Sequence, residues 1–527
     1  MNSDKIKKYQ ETYQYMVASR YTDHLQAEAS KRGEVFFYIP SSGHELTALF
    51  SHYLKPCDWL HLHYRDRALA YARGVTYETV FNGLFSRENS NSAGRRMPAF
   101  PCDKSLNIMS TPTLVGSNSL QAVGVAHAIQ EENESPIVLV SVGDGSTQQG
   151  DFYEAIAEAV RSNLRVIFLI EDNRFALSTP TKGNTFYSLP NIEIEEFYGI
   201  KIKRINGSDA IDADEKISES IKESRLNNKP QILIFNVERL ESHTNADDQT
   251  VYRSKEDLSN SLKNLDPCSN LRNLLINNGI SENTLNDIET KIQKEIDLAF
   301  QLARNGNPPK PTFTAKRPLP TPKAEHEVKN DQRSLTMLAA MRETLRFQLK
   351  TSNEVILLGQ DIEDPKGDVF GLTRTLSTEF PKQVRNSALA ENTILGVSTG
   401  LALAGKKPIA FMQFSDFLPV AFNHLLSEIG AMYWRTNGQW NAPVNVIAIA
   451  GGYRPGLGPY HAQTFESICA HIPGIDVIMP STAEDAAGLM NAISESNRPS
   501  IFLFPKSLIN DRSRMTSSDI NNHYVPI

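Results

Sequence analysis

Asp144 stands between two glycines, Gly143 and Gly145, directly after the apolar run 137–142, and Asn173 follows a second apolar run, 166–170. Carboxylate and amide oxygens are what a hard divalent cation such as Mg²⁺ accepts, and Mg²⁺ commonly shares its octahedron between protein and phosphate oxygens. One carboxylate, one amide oxygen and one backbone carbonyl would leave places for two diphosphate oxygens and a water. The glycines allow the backbone to approach phosphates closely, and the N-terminus of a following helix favours the anion. Gly-Asp-Gly also serves as a plain tight turn, so these residues alone leave both readings open.

The positions of Asp144 and Asn173 depend on the elements between them. Residues 146–172 have room for one helix and one strand, and Phe152, Ile156, Ala159 and Val160 follow helical spacing. The spacing therefore predicts that Asp144 and Asn173 reach the carboxyl ends of neighbouring parallel strands, where α/β sheets bind ligands. Apolar runs at 137–142, 166–170 and 232–237 are expected strands in the first half; 355–358, 409–414, 444–450, 475–479 and 501–504 are expected in the second. Continuous apolar strands between helices imply parallel sheets covered on both faces. The expected fold class is α/β, with two such domains. Between them, residues 308–322 hold six prolines, and a polar run follows. Such a stretch holds neither a helix nor a central strand, which makes it a linker. The expected division is 1–307, a linker over 308–332, and 333–527.

The totals agree with that plan. A chain of 527 residues, 40% hydrophobic and 22% charged, has material for several buried cores. Its net charge of -7 gives no reason to expect nucleic acid. Four dispersed cysteines, Cys57, Cys102, Cys268 and Cys469, form no zinc or disulfide pattern and read as reduced thiols. No run approaches the roughly 20 apolar residues of a membrane span. The N-terminal segment lacks a signal's apolar core and reads as one face of an ordinary helix, so a cytoplasmic location is the expectation.

Beyond these patterns, the first half resembles the alpha subunit of thiamin-diphosphate-dependent 2-oxoacid dehydrogenases, particularly the branched-chain type. The matching stretches are FYIPSSGHE (37–45), HYRDRALAYARG (63–74), GRRMPAF (94–100), GDGSTQQGDFYEA (143–155), EDNRFALSTPT (171–181) and ESHTNADDQTVYRS (241–254). The resemblance implies Asp144, Asn173 and the Phe175 carbonyl as Mg²⁺ ligands, and Gly143 and Gly145 as part of the cofactor loop. It implies Tyr64, Arg65 and Arg239 as diphosphate contacts. Val115, smaller than the usual occupant, falls where the family holds the cofactor bent. His243 matches a histidine on the loop that closes over the active site; without the resemblance, a lone histidine in a polar loop reads as solvated. Glu171 stands where some relatives carry a phosphate-binding arginine.

The second half resembles the beta subunit of the same family, in residues 354–376, 386–417, 458–482 and 498–508. Thiamin catalysis needs an acid against the pyrimidine nitrogen, and burial in an apolar pocket raises a carboxyl's pKa toward working pH. The resemblance puts Glu391 in that role, Phe417 against the aminopyrimidine, and His461 at the active-site histidine. From its position alone, Glu391 at the start of an apolar helical run equally favours a helix dipole. The glycine-rich loop 452–460 follows no dinucleotide fingerprint.

The resemblance implies two fused subunits that use thiamin diphosphate and Mg²⁺ to decarboxylate a 2-oxoacid oxidatively. The acyl group would pass to a lipoyl-bearing acyltransferase, and the protein would be a homodimer. Glu391, His243 and His461 are the expected catalytic residues. Relatives of the beta subunit carry a further C-terminal domain, and this chain stops about where it would begin. That leaves a fragment, a domain supplied by another chain, or a protein that manages without it; weaker self-association is expected. Two other readings stand beside the first: an enzyme that loads a carrier protein in biosynthesis, and a non-catalytic paralogue that only binds partners.

Overall fold

The computed structural model describes all residues except 99, 113, 311–334, 453–456 and 522. The chain divides into two units, residues 1–313 with 435–439, and residues 314–434 with 440–527. Most of the proline-rich seam expected at 308–332 lies outside the described residues.

The first unit opens with the helix Ser3–Lys31, which starts where the Asn2 side chain accepts from the Lys5 N–H and buries Tyr9, Tyr13 and Met16. Its strands are β1 (Trp59–His61), β2 (Val138–Gly143), β3 (Val166–Asp172), β4 (Phe175–Ala176), β5 (Thr179–Pro180), β6 (Ser188–Leu189), β7 (Ile192–Glu193), β8 (Glu196–Phe197), β9 (Ile200–Asn206) and β10 (Gln231–Asn236). The main sheet runs β1-β2-β3-β10-β9-β8, parallel except for the antiparallel edge strand β8. β2, β3 and β10 are buried along nearly their whole length, as sheets covered on both faces require. The helix Gly150–Arg161 between β2 and β3 buries Phe152, Ile156 and Ala159, the face its spacing predicts.

The second unit holds β11 (Val355–Gly359), β12 (Val384–Asn386), β13 (Lys407–Met412), β14 (Asn445–Ala450), β15 (Asp476–Ile478) and β16 (Ser500–Pro505). They form an all-parallel sheet in the order β12-β11-β13-β14-β16-β15. Its core gathers Leu357, Ile409, Phe411, Ile447 and Phe502 against the helices Met337–Thr351 and Ala483–Glu495.

The α/β class and the two parallel sheets match the sequence expectation; three details differ. The expected strand 409–414 runs instead from Lys407 to Met412, because Phe414 already leads into a 3-10 turn, Ser415–Ala421. Short β1 and β12 and the alternating β9, Ile-Lys-Ile-Lys-Arg-Ile-Asn, carry no continuous apolar run. No helix follows Gly145 directly: a 3-10 turn, Asp144–Gln148, intervenes, and the helix starts at Gly150.

Candidate active site

The register of the first sheet sets Gly143 beside Glu171, so the turn at Asp144 and the segment from Asp172 to Phe175 leave neighbouring strands together. Asp144 is buried; its Oδ1 accepts from the Gly145 N–H at 2.8 Å and its Oδ2 from Thr181 Oγ1 at 3.1 Å. The same Thr181 hydroxyl lies 3.4 Å from Asp172 Oδ1. Burial, and then the Asp172 carboxylate, push the Asp144 carboxyl up to about 7. Two carboxylates crowded in a buried turn are what a bound cation relieves.

Asn173, also buried, accepts at Oδ1 from the Phe175 N–H at 3.3 Å. Phe175 pairs with Pro180 across the β4–β5 hairpin, and proline has no N–H to give the Phe175 carbonyl. Gly145 admits no side chain: a Cβ there would sit 2.6 Å from Ala176 Cβ. At Gly143 a Cβ would come within 3.2 Å of His63 Nε2. The turn around Asp144 is therefore a cradle of bare backbone with two carboxylates and an amide at its lip. These donors fit a hard cation such as Mg²⁺.

Tyr64 and Arg65 lie just past β1, and Arg239 just past β10, at the same carboxyl edge. Arg65 donates to the Pro40 carbonyl and, through Nη2, to His243 Nδ1 at 3.0 Å. Arg239 donates to the Leu177 carbonyl at 2.9 Å and to the Tyr252 hydroxyl at 2.5 Å. The Nε of each arginine is buried without an acceptor among the described residues. Two stranded guanidinium N–H groups fit an anion such as a diphosphate. Tyr64 packs against the His63 ring at 3.9 Å and edge-on to His243 at 6.4 Å. Val115, 45% exposed, precedes the helix Ser117–Ala128. The adjoining Gly116 packs on Gln149, just past the Asp144 turn.

The His243 loop is held by the Asp247 carboxylate, which accepts from the His243 N–H at 2.7 Å and from the Tyr252 hydroxyl at 2.6 Å. Burial, and then Arg65 and Arg239, lower His243 to about 3, so its ring is neutral at ordinary pH. Because Nδ1 accepts from Arg65, the ring proton sits on Nε2, and His243 offers a donor there rather than a cation.

In the second unit, Glu391 is the first residue of the helix Glu391–Leu403 and is half-buried; its Oε1 accepts from Gln360 Nε2 at 3.3 Å. Gln360 follows β11 and Phe417 lies in the turn after β13. The His461 ring stands edge-on to Phe414 at 4.8 Å and to Phe417 at 5.6 Å. The His461 carbonyl accepts from Lys506 Nζ at 2.7 Å.

Each unit thus gathers its own set at the carboxyl edge of its sheet. Asp144, Asn173, Phe175, Tyr64, Arg65, Arg239 and His243 meet in the first; Phe417 and His461 meet in the second, with Glu391 on the adjacent helix. Sequence reasoning missed Asp172, Thr181 and a wholly buried polar cluster beneath the turn. In that cluster the Glu171 carboxylate accepts from Ser141 Oγ, lies 2.5 Å from His44 Nδ1 and 3.6 Å from His63 Nδ1. Burial opposes its charge, but His63 and His44 outweigh it and hold Glu171 well below the usual carboxylate range. Burial and the Glu171 charge push Asp66 the other way. The one sequence signal was the acidic residue at the end of an apolar strand.

Fold and site together define a two-domain α/β protein of the thiamin-diphosphate-binding class. Residues 13–312 match the family model "Dehydrogenase E1 component", and residues 333–512 match "Transketolase, pyrimidine binding domain". The chain belongs to the dehydrogenase E1 component family. It is similar to the 2-oxoisovalerate dehydrogenase subunit alpha 2, mitochondrial, of Arabidopsis thaliana, with 27% identity over 56% of this chain and 63% of that protein. It is 37% identical to the 2-oxoisovalerate dehydrogenase subunit beta of Bacillus subtilis, over 32% of this chain and 51% of that protein. It is 29% identical to the pyruvate dehydrogenase E1 component subunit alpha of Staphylococcus aureus, over 56% of this chain and 78% of that protein. The chain thus spans about half to two thirds of the length of the first two relatives.

Proposed function

We propose that this chain is a thiamin-diphosphate- and Mg²⁺-dependent 2-oxoacid decarboxylating component that hands its acyl product to a lipoyl group on a partner acyltransferase. The observation that carries the reading is the Asp144 turn: a crowded carboxylate pair, an amide and a bare-backbone cradle, with two stranded guanidinium N–H groups at the same sheet edge. Asp144, Asn173 and the Phe175 carbonyl would hold the cation, and Arg65, Arg239 and Tyr64 the diphosphate. When bound, thiamin diphosphate supplies the carbon nucleophile and the electron sink for loss of CO₂.

The protein's own groups do the rest. Glu391 would hold a proton against the pyrimidine nitrogen, with Gln360 steadying its carboxyl and Phe417 giving the ring a flat apolar neighbour. His461 is the group for proton handling near Phe417. His243 orients substrate or product through its Nε2 donor while Arg65 fixes the ring.

The test is decarboxylation of a panel of straight and branched 2-oxoacids with Mg²⁺, thiamin diphosphate and an artificial electron acceptor, alongside calorimetric titration of the cofactor. Cofactor-dependent turnover favouring one acid class is expected. Absence of cofactor binding would refute the reading.

A further inference from the structure

We propose that His44 is a positioning residue that sets which end of the Asn173 side-chain amide faces the cation. The inference rests on the reading of Asn173 as a cation ligand. An asparagine amide is nearly symmetric in shape, but only its oxygen can ligate Mg²⁺; the nitrogen has donors alone. Something must decide which end points at the metal.

The buried cluster decides it by a chain of obligatory donors and acceptors. A carboxylate offers only acceptors, so His44 Nδ1, 2.5 Å from Glu171 Oε2, must donate. His44 Nε2 is then left with a lone pair and can only accept. It lies 3.3 Å from Asn173 Nδ2, so the amide must present its NH₂ group to His44. Asn173 Oδ1 is thereby turned the other way, toward the Phe175 N–H. A flipped amide would face its oxygen to the His44 lone pair and its NH₂ to the cation. His44 and Glu171 are each fully buried, so bulk water does not compete with either. Ser141 Oγ anchors the other oxygen of Glu171.

His44, His63 and Glu171 could themselves be read as a cation site, since their ligand atoms lie within 4.8 Å of one another. The spacing argues otherwise. Two ligands on one tetrahedral metal sit about 3.3 Å apart at ordinary bond lengths, whereas His44 Nδ1 and Glu171 Oε2 are 2.5 Å apart, the spacing of a hydrogen bond. Groups that orient a metal's ligands in this way typically change metal affinity by about 10- to 100-fold when removed.

The experiment measures Mn²⁺ binding by electron paramagnetic resonance, with thiamin diphosphate present, on the full chain. His44→Leu is expected to weaken Mn²⁺ by about tenfold or more. His44→Gln, whose amide can donate to Glu171 and accept from Asn173, should stay within about threefold of the parent. In an Asn173→Asp background both ends of residue 173 are oxygens and no end needs selecting, so adding His44→Leu, which removes a lone pair facing a carboxylate oxygen, should not weaken affinity. A full-size loss in that background would mark His44 as merely structural and overturn the inference. So would unchanged affinity in His44→Leu, or a tenfold loss in His44→Gln, which also serves if the leucine variant fails to fold. If the parent shows no cofactor-dependent Mn²⁺ binding, or Asp144→Ala leaves it intact, the cation reading itself falls.

Discussion

Asp144 and Glu391 illustrate how differently two carboxyls can be used. Asp144 has an ordinary value of 3.8 and is raised to about 7 in the fold. A raised carboxyl gives stability that is complete below about pH 4 and is lost as pH rises through about 7. Without divalent cation, the protein should therefore lose up to about 4 kcal/mol from this group between pH 4 and 8. Thermal melts of Asp144→Asn should show a shallower fall over that range, and Mg²⁺ with thiamin diphosphate should flatten the parent's curve. Parallel profiles for parent and variant would contradict this assignment. Glu391 is half-buried at a helix start, and the role proposed for it is chemical rather than structural. Glu391→Gln should lower turnover at least about 100-fold, the low end for acid–base roles, while cofactor still binds. A near-normal rate would remove Glu391 from the mechanism.

Elements set the precision of these residues. The β4–β5 hairpin carries the Phe175 carbonyl and packs Ala176 on the Gly145 backbone. Gly145→Ala would push the hairpin outward to relieve a 2.6 Å contact. Cation-dependent cofactor affinity should fall about tenfold or more, as small misplacements of ligating groups do, and titration calorimetry would measure it. Deeper in the same sheet, Leu169 on β3 is fully buried in the first unit's core. Leu169→Ala should cost about 2–5 kcal/mol, read as a lower unfolding midpoint. A variant that melts like the parent would mean that β3 is not the backbone of the site.

At the scale of the whole molecule, each unit has its own core and its own sheet. Differential scanning calorimetry should resolve two transitions, with cation and cofactor raising the one that Leu169→Ala lowers. A single transition unaffected by Leu169→Ala would count against independent cores. The second unit also leaves Val420, Leu426, Trp434 and Ile468 exposed. Leu426 and Ile468 line one hollow with Phe422 and Ile472, apolar surface that a homodimer, if formed, would cover. Sedimentation should show self-association that Trp434→Glu with Leu426→Glu abolishes.

The sequence by itself determined the class of fold and the outline of the site. Fully buried strands must be apolar along their length, so β2, β3, β10, β13, β14 and β16 were visible as runs. The loop between two such strands must carry whatever chemistry the sheet edge performs, which put Asp144 and Asn173 in view. Short or alternating strands left no comparable trace: β1 is an edge strand of three residues, and β9, next to the edge strand β8, buries only Ile202 and Ile205. Tertiary structure alone decided the rest. Glu171, His44 and the pair His63 and Asp66 come from three separate segments and become a cluster only when β3, the loop before residue 45 and the segment after β1 meet. The protonation of Asp144 and the neutrality of His243 likewise arise from desolvation and neighbouring charge, and both are properties of packing rather than of residue order.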